Sequence, residues 1–195
     1  MKLVPLRRIE GDTVKLSDEA ILAACGTGDA AALGELFDRF HRDVYRFVGR
    51  FPWVDESGRD DLVQATFLEV RRVAASFRGG ARVRTWILGV AANLARHSSR
   101  GERRRWARQA KYLAQPLAPL RSVDEQVDDQ RLLARVEAAM AELPRDQLIV
   151  FMLCDLEGIP AAEAGKLVGA PEGTVWRRLH HARKAIREEI ERSER

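Results

Sequence analysis

Three residues near the C-terminus constrain the fold most strongly, because their spacing is that of two crossed helices. Gly165 and Gly169 are four residues apart, and Val175 follows six residues later. Two helices that cross at a short turn need a small residue at the crossing, a glycine at the turn and a buried aliphatic residue beyond it. The pattern predicts a turn over 169–173 between a short helix and a longer one over 174–190, which is typical of a helix-turn-helix.

The longer of these helices carries basic and aromatic side chains on its outer positions. At about 100° per residue, Arg177, His180, His181 and Lys184 fall on one face, opposite an apolar face that begins at Val175. Arginine binds guanine edges or phosphates, so Arg177 and His181 are the best candidates for reading bases in a DNA major groove. The adjacent histidines do not predict a metal site, because they point in different directions and no nearby Asp or Cys completes a ligand set.

The rest of the chain shows helical periods and no alternating strand pattern. Apolar residues recur at helical spacing over 29–50, from Asp60 onward, over 84–98 and over 124–143, while paired glycines at 79–80 mark a loop. The sequence therefore predicts an all-α fold with two small helical domains joined by a flexible linker. The predicted division is an N-terminal arm over 1–17, a first domain over 18–106, a linker over 107–130 and a second domain over 131–195.

The distribution of charge indicates a polyanionic partner. The chain has 33 Lys and Arg residues against 29 Asp and Glu, and its basic residues concentrate in 96–111 and in the C-terminal helix. An acidic segment over 124–129 separates these zones, so we expect two contacts with a nucleic acid. The sequence has no apolar run that could span a bilayer and no signal-peptide pattern, so we expect a cytoplasmic protein without direct membrane insertion.

The sequence shows no arrangement typical of an enzyme. No Ser/His/Asp, Cys/His or paired-carboxylate cluster occurs at a usable spacing, and the glycine-rich loop over 78–81 lacks a phosphate-binding lysine and a preceding strand. Cys25 and Cys154 are far apart, which disfavours a disulfide framework or a zinc site and favours two small apolar side chains in the core. We therefore expect no catalytic residue, no cofactor and no metal.

Two groups of motifs resemble those of one known family. The chain resembles region 2 of sigma-70-type factors at 60–70, at Phe77-Arg-Gly and at 84–93, where an arginine run follows. It resembles region 4 of the same factors at Leu143-Pro, at Glu157-Gly and at 173–183. Because no region 3 lies between these segments, the chain is similar to the extracytoplasmic-function group of that family.

The resemblance implies a factor that binds bacterial core RNA polymerase, directs it to promoters through −10 and −35 elements, and promotes melting of the promoter DNA. It also implies that the first domain docks on the clamp helices of the β′ subunit and that the second domain touches the β-flap. An anti-sigma factor is a further partner that the resemblance implies. The residues expected to bind core polymerase are Asp61, Leu62, Gln64 and Glu69.

The same resemblance divides the promoter contacts between the two domains. Contact with the −10 element is expected from Arg78, Gly79, Arg82, Arg84, Trp86, Asn93, Arg96, His97 and Arg100. Contact with the −35 element is expected from Gly173, Thr174, Trp176, Arg177, Arg178, His180, His181 and Arg183. Three alternatives stay open: Trp86 as a core residue, Asn93 as a helix cap or a partly buried residue, and most of the arginines as phosphate contacts that carry no sequence information.

Two other classes of protein explain less of the chain. A stand-alone repressor or activator would account for 143–192 but leaves 60–105 without a role, and the sequence shows no dimer seam. A pure interaction module that binds regulators without DNA is disfavoured by the arginine run at 100–105.

Overall fold

The computed structural model describes residues 16–98 and 127–192, all of it helices and short connections. The first domain contains α1 (Asp18–Gly26), α2 (Ala30–Val48), α3 (Glu56–Val73), a 3-10 turn (Ala74–Ser76) and α4 (Val83–His97). The second contains α5 (Val127–Glu142), α6 (Arg145–Phe151), a π-helical turn (Met152–Leu156), α7 (Ala161–Val168) and α8 (Glu172–Arg192). The predicted all-α fold is confirmed. The N-terminal arm up to residue 15 and most of the predicted linker lie outside the described residues, although α5 begins at Val127, inside that linker.

Side-chain caps set the starts of the helices in the first domain. The Ser17 hydroxyl accepts a hydrogen bond from the Ala20 N–H at the start of α1, and Asp29 caps α2 in the same way. The Asp55 carboxylate accepts from the Gly58 N–H at 2.8 Å, so α3 starts at Glu56. The predicted start of this helix at Asp60 was wrong by one turn, because the cap precedes the acidic pair that suggested it.

The core of the first domain forms between α2, α3 and α4. The stripe predicted on α2 is buried at Leu36, Phe40, Val44 and Phe47. Each such side chain removed from water contributes roughly 1.5–3 kcal/mol of transfer free energy. The facing residues on the other two helices are Leu62, Val63, Phe67, Val70, Ile87, Leu88, Ala91 and Ala92.

The helix-turn-helix follows the predicted spacing closely. A Cβ on Gly165 would lie 2.7 Å from the Ala170 carbonyl oxygen, so only glycine allows this approach of the chain to α7. Gly169 ends α7 with φ at +66°, in the left-handed region that favours glycine. Val175 and Leu179 are buried on the inner face of α8, where they pack with Leu148 and its neighbours.

The two domains pack against each other through α4, which contacts α6 and α7. The face of α4 that meets the second domain therefore includes residues that the sequence assigned to nucleic acid. None of the helices in the described ranges is both long and apolar enough to cross a lipid bilayer.

Candidate nucleic-acid interface

The outer face of α8 is open to solvent. Its apolar side is buried as predicted, at Val175, Leu179, Ala182 and Ile186. The opposite side exposes Trp176, which is 52% accessible, together with Arg177, His180 and His181. A rigid helix anchored on one side thus presents a row of cationic, aromatic and hydrogen-bonding groups on the other.

Three arginines of α8 differ in how they are held. Arg178 lies 2.5 Å from the Asp146 carboxylate, and Arg183 makes two hydrogen bonds to Asp155, at 2.8 and 2.6 Å. The hydrogen bond to Asp155 raises the pKa of Arg183, and both pairs restrict the arginines to one orientation. Arg177 is exposed and makes no ion pair with any residue that the structure describes.

The N-terminal turn of α8 is the part of the helix that a major groove would receive first. Gly173 is exposed with open space around its α-carbon, and Thr174 is half-buried beside it. The indole N–H of Trp176 donates to Glu172 at 3.2 Å, which fixes the ring along the helix. The rings of His180 and His181 lie 5.7 Å apart at a steep angle, and among the described residues no group of three metal-binding side chains forms here or elsewhere.

The polar residues predicted on α4 are occupied by the second domain. The Asn93 side-chain amide donates to the Leu167 carbonyl oxygen at 2.7 Å. Arg84 pairs with Glu157 at 2.8 Å, and Arg96 pairs with Asp146 at 2.6 Å. Asn93 is therefore partly buried and hydrogen-bonded, which is one of the alternatives that the sequence left open.

A carboxylate within the first domain also holds Arg84. Asp43 lies 3.1 Å from its guanidinium, and Arg46 pairs with the same carboxylate at 2.6 Å. Burial alone would raise the pKa of Asp43, but the two guanidinium groups outweigh it and the pKa is lowered. Burial would likewise lower the pKa of Arg84, and hydrogen bonds to Asp43 and Glu157 raise it instead.

The loop between α3 and α4 is open and carries two more of the predicted residues. Gly79 and Gly80 have φ at +72° and +82°, which favours glycine at both positions. Arg78 and Arg82 are exposed, although the Arg78 guanidinium donates to the Ala75 carbonyl oxygen at 2.6 Å.

The remaining residues of the −10 set are placed in different ways. Trp86 is half-buried against Phe77, with ring centroids 5.5 Å apart, so it packs as a structural residue on one side and faces a groove on the other. His97 is exposed in the last turn of α4. Arg100 lies outside the described residues.

The structure corrects one residue of the set expected to bind core polymerase. Leu62 is 0% exposed, because it faces the core between α2 and α4, and it offers no anchor to a partner. Asp61, Gln64 and Glu69 are partly exposed on α3. Glu69 pairs with Arg72 at 2.6 Å, and that hydrogen bond is the main reason that the pKa of Glu69 is lowered.

Sequence reasoning missed the acidic partners of the α4 arginines. Asp146 and Glu157 lie in the second domain, 50 and 73 residues away along the chain from the arginines that they bind. Arg145 was also missed: its guanidinium stacks on the Trp53 ring at 4.7 Å and donates to the Arg96 carbonyl oxygen at 3.2 Å. No local signal in the sequence marks these residues as partners of α4, because each contact depends on how the domains meet.

Comparison with known proteins agrees with this architecture. Residues 36–105 match the family described as Sigma-70 region 2, and residues 133–186 match Sigma-70, region 4. The ECF RNA polymerase sigma factor SigM of Mycobacterium tuberculosis is 32% identical over 171 residues, covering 86% of this chain and 81% of that protein. The ECF sigma factor SigE of Mycolicibacterium smegmatis is 32% identical over 190 residues, covering 92% of this chain and 71% of that protein.

Solved structures share the fold at lower sequence identity. The structure of CnrH in complex with the cytosolic domain of CnrY matches with a TM-score of 0.60 at 21% identity, covering 89% of this chain and 97% of that one. The sigma factor RpoE of Bartonella quintana, in complex with the anti-sigma factor NepR, matches with a TM-score of 0.58 at 18% identity, covering 81% and 96%. The chain therefore belongs to the sigma-70 family, in its extracytoplasmic-function group, and is a non-enzymatic factor that directs RNA polymerase to promoters for the initiation of transcription.

Proposed function

We propose that this sigma factor reads the −35 element as duplex DNA with the outer face of α8. The observation that carries the proposal is the separation of the helix into a buried apolar side and an exposed side with Trp176, Arg177, His180 and His181. A recognition helix must expose one face to the base edges while its opposite face stays packed on its own domain, and α8 meets both requirements.

The roles of individual residues on α8 follow from how each is held. Arg177 is exposed, forms no ion pair with the residues that the structure describes, and is suited to bidentate contact with guanine O6 and N7. Arg178 and Arg183 are oriented by carboxylates and are suited to phosphates on either side of the groove. Trp176 and His180 add apolar and hydrogen-bonding contact, with Gly173 and Thr174 allowing the backbone close to the DNA.

The −10 element contacts the loop and helix of the first domain in this proposal. Arg78 and Arg82 flank two glycines in an open loop, which lets a separated strand approach the backbone closely. Trp86 and His97 continue this surface along α4, and Arg84, Asn93 and Arg96 join it once they are released from their contacts with the second domain. The contribution of Arg100 rests on the resemblance alone, since it lies outside the described residues.

Docking on core polymerase is assigned to α3 and to the second domain. Asp61, Gln64 and Glu69 are accessible on α3 and suit the clamp helices of the β′ subunit, with Leu68 in place of the buried Leu62 as the partly exposed apolar residue. The second domain is proposed to touch the β-flap, which holds α8 at the distance of the −35 element.

An anti-sigma factor is the proposed regulatory partner. The solved structures of CnrH and RpoE both contain such a complex, one with the cytosolic domain of CnrY and one with NepR. The outer face of α8, which exposes Trp176 among charged residues, and the charged, partly exposed face of α3 are the surfaces that such a partner would cover. Co-purification of the tagged factor with a protein encoded next to it would support this, and capture of core polymerase alone would contradict it.

The function is tested by run-off transcription with purified core RNA polymerase and a library of promoter fragments. We expect transcripts from a subset of fragments that share spaced −35 and −10 elements, and no such subset with core polymerase alone. Specific DNA binding by the isolated chain without any binding to core polymerase would contradict the proposal and favour an ordinary helix-turn-helix regulator.

A further inference from the structure

A single acidic residue stands among the cationic groups at the start of α8. Over 172–182, Glu172 is the only Asp or Glu in the sequence, and its side chain is exposed in the first turn of the helix. Arg177, His180 and His181 are exposed in the turns that follow. Because DNA phosphates repel a carboxylate, Glu172 opposes binding to DNA in general unless a base supplies a hydrogen-bond donor to it.

An aromatic side chain, and not a cation, holds the Glu172 carboxylate. The indole N–H of Trp176 donates to Glu172 Oε1 at 3.2 Å. Within the described ranges, Glu172 forms no ion pair and its Oε2 accepts no hydrogen bond. Residues four apart lie about 40° apart around a helix axis, so the two side chains run along the same side of α8. One carboxylate oxygen is thus oriented by the protein, and the other is available to a ligand.

The backbone beside Glu172 leaves room for a base to approach. Gly173 has no side chain, and nothing lies within 4 Å of the place that a Cβ would take there. The Trp176 ring is exposed next to the carboxylate. A base edge in a major groove can therefore approach the carboxylate over the backbone of Gly173.

The donors and acceptors on the base edges determine which base this carboxylate favours. An ionised carboxylate only accepts hydrogen bonds. In the major groove, guanine presents two acceptors and thymine presents an acceptor and a methyl group, so both are disfavoured. Cytosine presents the N4 amino donor, whereas the adenine amino donor lies next to the N7 acceptor, which repels the carboxylate. Cytosine is therefore the base that Glu172 suits best.

We propose that Glu172 selects cytosine at one base pair of the −35 element and that Trp176 positions its carboxylate. This inference rests on the proposed reading of the −35 duplex by α8, and it adds a specificity-determining residue to that contact. Arg177 lies five residues after Glu172, about 140° away around the helix axis, so the two side chains point at different parts of the groove. The start of α8 thus uses a cation to read guanine and an anion to read cytosine.

The test is run-off transcription by core RNA polymerase with each full-length variant, on promoters with a randomised −35 element. Each promoter carries a downstream barcode, so sequencing of the transcripts counts the promoters that were used. Glu172→Gln keeps the size of the side chain, but its amide both donates and accepts, which suits adenine N6 and N7. Glu163→Gln is the matched control, because it removes the same charge from the first turn of α7. Trp176→Phe removes the indole N–H and keeps an aromatic ring.

For the unchanged protein, we expect selection of cytosine at one position of the −35 element. Glu172→Gln should lower the ratio of cytosine to adenine at that position at least ~5-fold and leave the other positions unchanged, because one base contact is altered. Trp176→Phe should weaken the same cytosine preference, and Glu163→Gln should change no preference.

Two results would overturn the inference. One is a Glu172→Gln protein that keeps the base preferences of the unchanged protein, or that changes transcription equally on every fragment, since the carboxylate would then only stabilise the start of α8. The other is a Trp176→Phe protein with full cytosine preference, which would overturn the positioning role of Trp176. A lack of any −35 preference in the unchanged protein would instead overturn the proposed function of α8, so the failures are distinguishable.

Discussion

The outer face of α8 and the inner face of α4 carry similar side chains in opposite situations. Arg177 on α8 is exposed and unpaired among the described residues, whereas Arg84 and Arg96 on α4 each bind carboxylates of their own chain. The type of residue therefore predicts which side chains can bind DNA, and the packing of the domains determines which of those side chains are exposed. In this factor the outer face of α8 is exposed, and several polar residues of α4 are held by the second domain.

The difference follows from where the acidic residues lie. Asp146 is in the first turn of α6 and Glu157 follows the π-helical turn, so both project from one end of the second domain towards α4. On α8, Asp146 pairs with Arg178 and Asp155 pairs with Arg183, and neither carboxylate covers the outer face of that helix. The second domain thus packs against the inner face of its own helix α8, and it covers polar residues on α4 of the first domain.

The largest expected effect comes from removing the support of α8. Leu179→Ala removes a side chain that is 1% exposed, and we expect the free energy of unfolding to fall by about 2–5 kcal/mol. Trp176→Ala, three residues earlier on the exposed face, is the control and should change stability by less than about 0.5 kcal/mol. Urea denaturation followed by circular dichroism measures both, and similar losses for the two variants would contradict the division of α8 into a buried and an exposed face.

A smaller and more specific effect is expected at the exposed face itself. Arg177→Ala should weaken use of the cognate promoter by about 1–3 kcal/mol, because a base contact is lost, while fragments with altered −35 elements lose less. Arg187→Ala is the control, since Arg187 is also exposed on α8 but lies far from the N-terminal turn. The ratio of run-off transcripts across the promoter library measures the effect. A uniform loss on all fragments would mean that Arg177 contacts phosphate only.

The smallest effect concerns the ion pair that holds Arg84 within the first domain. The pKa of Asp43 is lowered in the folded protein, so the stabilisation is fully present above its ordinary value of 3.8 and is lost as the pH falls through the lower, folded value. Asp43→Asn should remove this part of the acid dependence and cost about 1 kcal/mol or less at neutral pH, since the pair is partly exposed. Asp38→Asn on the exposed side of α2 is the control.

Unfolding midpoints between pH 3 and pH 7 measure this dependence. An Asp43→Asn protein with the same acid dependence as the Asp38→Asn protein would show that the Arg84–Asp43 pair contributes nothing to the stability of the first domain.

The second domain was predictable from the sequence because its constraints are local. Gly165, Gly169 and Val175 act on neighbours a few residues away, and their spacing alone located the turn and the buried face of α8. The predictions from sequence were wrong where contacts between distant residues determine whether a side chain is buried. Leu62 reads as a docking residue beside Asp61, and only the packing of α2 against α3 shows that it faces the core.

The contacts between α4 and the second domain were not predictable, because no local sequence pattern encodes them. Arg96 and Asp146 are 50 residues apart, with an undescribed stretch of chain between them, and each has an ordinary explanation as a solvent-exposed charge. Asn93 shows the same limit: the sequence left base contact and partial burial open, and only the position of α7 shows that its amide is partly buried against the Leu167 carbonyl oxygen.

The central claim is that the outer face of α8 reads the bases of the −35 element, and a change that keeps the charge of Arg177 tests it most directly. Arg177→Lys keeps the attraction to phosphates but loses the two-point contact that a guanidinium makes with guanine. Run-off transcription with core polymerase would be measured for this variant and for the unchanged protein, on the cognate promoter and on the same promoter with a scrambled −35 element. The account predicts less transcript from the variant on the cognate promoter and equal transcript from the two proteins on the scrambled one. Equal transcription from the two proteins on both promoters would contradict it.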